Sequence, residues 1–226
     1  MLIVKIFSLE FFADHFHCSD SKLKKEAPLR LLEFYEADCS FLLTSTLPSS
    51  RFTDTIKLDF QGVCMSNDRW KTVFGCFKQL EELYLDQCQI DDLKILSVDS
   101  LKSLKVLMID NGRKDDKLFS LTGISYCTAL RYLIVESNLL EDMSDLEACQ
   151  NLEELDIENC KSIRGFDFNL PKLKHFRCVE ATKLCFVGPL LDKNCLIKCD
   201  GLDTTKINEQ LKEKVKRQCK KSEEDD

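Results

Sequence analysis

The chain has 226 residues, 44% of them hydrophobic and 31% charged, with only 7 Gly and 4 Pro, which excludes a collagen-like or a disordered chain. A formal net charge of -7 argues against a nucleic-acid binder, which neutralises phosphates with a basic excess. The 13 cysteines are odd in number, spread along the chain and contain no Cys-x-x-Cys pair, so they read as buried, reduced thiols of a cytoplasmic or nuclear protein.

The opening MLIVKIFSLEFF is apolar, but Lys5 and Glu10 interrupt it and no small-residue cleavage site follows, so it is not read as a signal peptide. No run is long and apolar enough to span a bilayer, and no Asn-x-Ser/Thr acceptor occurs. A first strand phrase is expected at Ile6, Leu9, Phe11, Asp14 and Phe16. In HFHC, His15, His17 and Cys18 could share a strand face, but no fourth ligand at metal-site spacing is evident, and the segment is read as a turn. Leu29, Leu32 and Phe34 mark a second phrase, and Ile56 with Leu58 a third.

Residues 67–80 carry Trp70, Val73, Phe74 and Phe77 at near-helical spacing and are expected to form a helix. The phrases then sharpen: Leu80, Leu83, Leu85, Cys88, Ile90; Leu104, Leu107, Ile109; Leu130, Leu133, Val135, Asn138, Leu140; Leu152, Leu155, Ile157, Cys160. Leu173, Phe176 and Cys178 follow, and the run CLIKC around Ile197 is a fainter copy. Between phrases, residues 144–152 read as a short helical turn with Ser144 as N-cap, and the segment holding Pro171 is too short for a full helix. Numbering by the third apolar position (Phe11, Phe34, Leu58, Leu85, Ile109, Val135, Ile157, Cys178, Ile197) gives intervals of 23, 24, 27, 24, 26, 22, 21 and 19 residues.

From Thr204 the composition changes. Ile207, Leu211 and Val215 recur every fourth residue among basic side chains, and Glu223, Glu224, Asp225 and Asp226 close the chain. This reads as a thin amphipathic helix packed on the last repeat. Domain organisation is therefore an array over residues 1–203 and a charged helical tail over 204–226, with the pattern clearest over 80–185.

A pattern L-x-x-L-x-L-x-x-(N/C)-x-L at this period resembles the leucine-rich repeat family, over roughly residues 1–202. LEELYLDQCQIDDLKIL is similar to its cysteine-containing subtype, and LRYLIVESNLLEDMSDLEACQNLEEL resembles the short twenty-two-residue subtype. The resemblance implies an α/β solenoid of about eight or nine repeats. A parallel sheet would line the concave side and short helices or turns the convex side. Alternation at period 2 marks each strand independently, and no repeat can bury its apolar face without its neighbours. Asn138, Cys88 and Cys160 are expected to fill the interior slot where the chain leaves the strand.

The concave face is the candidate site. The column after the third apolar residue is expected to hold the acids Asp59, Asp86, Asp110, Glu136 and Glu158. The column before that residue holds Tyr84, Met108 and Ile134, and the next one back Val106 and Tyr132. Like charges in register repel, so a single-sign column beside exposed apolar side chains points to a binding groove. Its expected ligand is another protein, basic and carrying apolar anchors.

No Gly-x-x-x-x-Gly-Lys, His-Glu-x-x-His or Gly-x-Ser-x-Gly motif occurs, and His175 stands in a strand phrase without an evident nucleophile. The denser group Cys178, Cys185, Cys195 and Cys199 lacks the paired spacing of a disulfide cap and reads as buried thiols. Neither a cofactor, a catalytic residue nor a metal site is expected. The function expected is a non-catalytic, protein-binding scaffold. The alternatives are a substrate-recognition subunit of a ubiquitin ligase, although residues 1–50 already read as repeats and leave no F-box pattern, or a fragment of a larger receptor. An apolar first strand without a polar cap leads to the further expectation of a homo-oligomer through that edge, or of a longer parent protein.

Overall fold

A computed structural model describes residues 3–6, 31–35, 54–111, 117–166, 168–181, 183–184, 186–187 and 195–200, with Glu209 and Glu213. The segment HFHC, residues Phe11, Cys18, Cys39, Cys185 and Cys219, and the boundary expected at 203–204 lie outside them. Of the expected tail helix, only Glu209 and Glu213 are described, and both are helical.

Each apolar phrase becomes a strand, because alternating large side chains suit a pleated surface with one face buried. The strands are β1 (Ile3–Ile6), β2 (Leu31–Tyr35), β3 (Lys57–Gln61), β4 (Glu82–Asp86), β5 (Val106–Asp110), β6 (Tyr132–Glu136), β7 (Glu154–Glu158), β8 (Gly165–Phe166), β9 (His175–Val179), β10 (Phe186–Val187) and β11 (Leu196–Asp200). Nine of them form one parallel sheet in the order β1-β2-β3-β4-β5-β6-β7-β9-β11, while β8 and β10 pair separately. Sequential order with parallel pairing is possible only if the chain coils, each turn returning beside the last.

Inside the coil, side chains at one level stack into ladders. Leu58, Leu83, Leu107, Leu133, Leu155 and Phe176 form one, and Phe60, Leu85, Ile109, Val135, Ile157 and Cys178 another, all at most 1% exposed. The chain leaves the strand through a left-handed residue two positions after the second ladder: Gly62, Gln87, Asn159 and Glu180 all have φ between 51° and 68°. There the cysteines take the expected slot. The buried Cys88 thiol donates to the Phe60 carbonyl at 3.4 Å, and Cys160 donates to that of Val135 at 3.6 Å.

Three levels differ from the expected numbering. Ile6, not Phe11, stands beside Phe34; Phe60, not Leu58, stands beside Leu85; and Cys199, not Ile197, stands beside Cys178. In β3 and β11 the slip is by two residues, which keeps every side chain on its own face and so is invisible to alternation. Gly62 decides the matter at β3, because the left-handed turn must follow the third apolar residue at the distance seen beside Gln87. At β1, the β-branched run of Ile3, Val4 and Ile6 makes the better strand.

The opposite side holds α1 (Asn67–Gly75) and 3-10 turns at Leu93–Leu96, Asp99–Leu101, Ile124–Tyr126 and Ser144–Ala148. Helical turns need more room per repeat than strands about 4.8 Å apart, so the sheet lines the concave face. Trp70, Val73 and Phe74 of α1 are buried, with Trp70 stacked on Phe74 at 5.3 Å and edge-on to Phe60 at 5.1 Å. Ser144 is not the cap expected of it. It is the first residue of its turn, and its amide donates to Asp142 Oδ1 at 2.9 Å. Burial pushes the Cys127 and Cys149 thiols up to about 12, so neither thiolate is available at neutral pH.

Close stacking depends on Gly123, whose φ is 104° and where a Cβ would lie 2.5 Å from the Leu93 carbonyl carbon. Gly123→Ala should therefore destabilise by about 2 kcal/mol or more, while Gly75→Ala, which meets nothing within 4 Å, should be neutral or stabilise by up to about 1 kcal/mol in urea titrations. Native alkylation followed by peptide mass mapping should modify the exposed Cys64 first and the buried Cys88, Cys127, Cys149 and Cys160 only on unfolding.

Candidate functional site

Three columns of side chains face out of the concave sheet, because the first, third and fifth residues of each five-residue strand point away from the core. From β3 to β9 the inner column reads Lys57, Glu82, Val106, Tyr132, Glu154, His175. The middle column reads Asp59, Tyr84, Met108, Ile134, Asp156, Arg177, and the outer column Gln61, Asp86, Asp110, Glu136, Glu158, Val179.

Of the expected acids, Asp86, Asp110, Glu136 and Glu158 do stand side by side in the outer column. Asp59 does not. The two-residue slip at β3 places it beside Tyr84 in the middle column and puts Gln61 beside Asp86. Tyr84, Met108 and Ile134 are adjacent as expected, as are Val106 and Tyr132. The middle column is thus an apolar stretch of three residues bounded by Asp59 and Asp156, with the acids along one side. All nine expected site residues are partly exposed.

The acid column differs from the charges at the strands' other end. Just before the strands, Lys105 Nζ lies 2.7 Å from Glu81 Oε1, and Glu153 accepts both from Arg131 Nε and from Lys174 Nζ at 2.6 Å. Each of these charges has an opposite neighbour there. In the outer column, Asp86 accepts from the Gln61 amide at 2.8 Å and Glu136 from the Asn159 amide at 2.6 Å, both neutral donors. Asp86 Oδ1 and Asp156 Oδ1 are buried without a hydrogen-bond partner among the described residues. Burial holds the Glu136 carboxyl above its ordinary value, and the charges of Asp110, Glu158 and Asp86 raise it further against the Asn159 hydrogen bond.

Extending the columns brings in residues that the sequence reading passed over. Arg177 Nη1 donates to Asp156 Oδ2 at 2.6 Å and also to Glu158. At the other end the Lys57 ammonium lies 4.0 Å from the Tyr84 ring centroid and 3.8 Å from Glu82 Oε2. The Tyr84 hydroxyl donates to Glu82 at 3.1 Å, and burial with the Glu82 charge pushes its pKa up to about 12. His175 pairs with Glu154 at 3.0 Å. Position in the middle column was the signal for Asp156 and Arg177, since both continue the series after Ile134.

No family model matches the sequence. The structure is similar to that of an internalin C2 from Listeria monocytogenes, with a TM-score of 0.58 over 76% of this chain and 71% of that one at 20% sequence identity. The fold is that of a leucine-rich repeat solenoid. Within the described part of the solenoid, no three His, Cys, Asp or Glu side chains are grouped to hold a metal ion. No described helix is long and apolar enough to cross a membrane.

A raised carboxyl pKa means that the folded solenoid holds the Glu136 proton more tightly than the unfolded chain does. Ionising Glu136 therefore costs stability as pH rises from the unfolded value through the raised folded one. Glu136→Gln keeps an acceptor for Asn159 and should stabilise by about 0.2–1 kcal/mol at neutral pH. The gain should shrink at about pH 4, below the ordinary glutamate value, as read from urea titrations at both pH values.

Proposed function

We propose that the protein is a non-catalytic interaction module whose concave face binds another protein through a basic segment carrying apolar anchors. The observation that supports this is the acid-walled apolar patch: Met108, Ile134, Val106 and Tyr132 are contiguous, partly exposed and bordered by Asp86, Asp110 and Glu136. Charge draws the ligand in, and burial of its anchors holds it. Stacked like charges lower the stability of the free protein, so keeping them makes physical sense where a partner neutralises them.

The test begins with partners recovered from native cells by the wild-type chain. Reversing Asp86, Asp110 and Glu136 together to Lys should abolish their capture while leaving the circular dichroism spectrum intact, because these side chains lie outside the core. Tyr132→Ala should weaken binding by about 1–2 kcal/mol, mostly through faster dissociation. Association should slow as salt rises, since exposed charges are screened beyond about 8 Å at physiological ionic strength. A partner that binds the triple variant with unchanged affinity would refute the concave face as the site. Recovery of ubiquitin-ligase subunits among the captured proteins would favour a substrate-receptor role.

A further inference from the structure

We propose that an open cavity at the carboxyl ends of β3 and β4 binds a small phosphate monoester, held by Arg69 and Lys117 while Asp91 accepts from a hydroxyl of the same ligand. The residues that carry this site lie outside the concave columns, so the inference stands apart from the protein-binding reading.

The cavity has a volume of about 340 Å³, within the range of small-molecule sites. Three turns of the solenoid build it. Cys64 and Ser66 come from the segment that leaves β3, and Arg69 from the first turn of α1. Gln89 and Asp91 come from the segment that leaves β4, and Lys117 from the crossing between β5 and β6. Loops beyond the carboxyl ends of parallel strands are where open α/β sheets take their ligands. Gln89 reaches this wall with a φ of 50°, two residues after Gln87 has made the first left-handed step. A residue with a Cβ adopts that conformation at a cost, and such strain gathers at ligand sites.

Cations elsewhere on the molecule have acidic partners, as Lys94 has Asp92 and Lys105 has Glu81. Arg69 and Lys117 have none among the described residues, although Asp91 stands on the same wall. Ser66 is the N-cap of α1 but bonds no helix amide through its side chain, which leaves its hydroxyl to the cavity. A carboxylate would be satisfied by the guanidinium fork alone. A phosphate monoester carries a charge of about -1.5 to -2 and three acceptor oxygens, enough for the fork, the ammonium and the hydroxyl together. Asp91 repels a bare anion but accepts from a hydroxyl, so it favours a phosphate esterified to a polyol over inorganic phosphate. The cavity is larger than a phosphate and has room for that organic part.

The probes are ribose 5-phosphate, ribose and inorganic phosphate, each titrated into the isotope-labelled full chain at one ionic strength. Ribose 5-phosphate should shift the amides of residues 64–66, 69, 89–91 and 117. It should also slow alkylation of Cys64, whose exposed thiol lines the cavity. Ribose should do neither. Arg69→Gln and Lys117→Gln should each weaken ribose 5-phosphate about tenfold or more, because a hydrogen bond between charged groups is lost. Both side chains are exposed, so the variants should fold as the parent does. Asp91→Asn should bind inorganic phosphate more tightly and narrow the preference for ribose 5-phosphate. Equal affinity of the parent for ribose 5-phosphate and inorganic phosphate would mark an adventitious ion only and overturn the inference. Unchanged affinity in both cation variants, or shifts away from these residues, would overturn it as well, and each of these results would leave the concave reading standing.

Discussion

Parallel, in-register stacking is the constraint on which the rest of this molecule depends. Once β3 to β9 lie side by side with each residue beside its counterpart, every property of a strand position is repeated at intervals of about 4.8 Å. Repetition is favourable for the apolar positions. Leu58, Leu83, Leu107, Leu133 and Leu155 pack as one continuous ladder that no single repeat could form. It also serves the turn slot, where Cys88 and Cys160 each reach back to a carbonyl of the preceding strand.

For charged positions the same stacking is a liability, and the protein handles it in two ways. Ahead of the strands, Glu81 meets Lys105, and Arg131 and Lys174 meet Glu153 between them, so each charge has an opposite neighbour. Such exposed pairs contribute little individually, but they remove repulsion. The outer column instead sets four acids in a row, Glu158 bonded by Arg177 and Glu136 flanked by acids with its proton affinity raised. One fold thus shows both solutions a few residues apart.

Among the described residues, Lys57 and Arg177 stand at the two ends of the middle column from β3 to β9, and Arg131 lies over the Tyr132 ring. Lys57 lies over Tyr84, and Arg177 bonds Asp156 and Glu158. Between them Met108 and Ile134 form an apolar floor.

The sequence by itself determined the fold and the face on which each residue lies. Alternation at period 2, repeated about every 24 residues, allows one core and requires neighbours to share it, so the solenoid, the helix around Trp70 and the adjacency of Tyr84, Met108 and Ile134 were all legible. Register was legible only where a phrase was unambiguous. Around β3 the run Ile56, Leu58, Phe60 alternates correctly under two alignments, and no local property of Asp59 separates them. The left-handed turn at Gly62, stacked against that at Gln87, selects the second alignment and moves Asp59 from the acid column to the end of the apolar patch. Arg177 makes the same point for charge. Its place in the middle column follows from periodicity, but its bonds to Asp156 and Glu158 exist only because β9 lies against β7, with β8 set aside in a separate pair. Local pattern decides which way a side chain points, whereas stacking between repeats decides what it meets there.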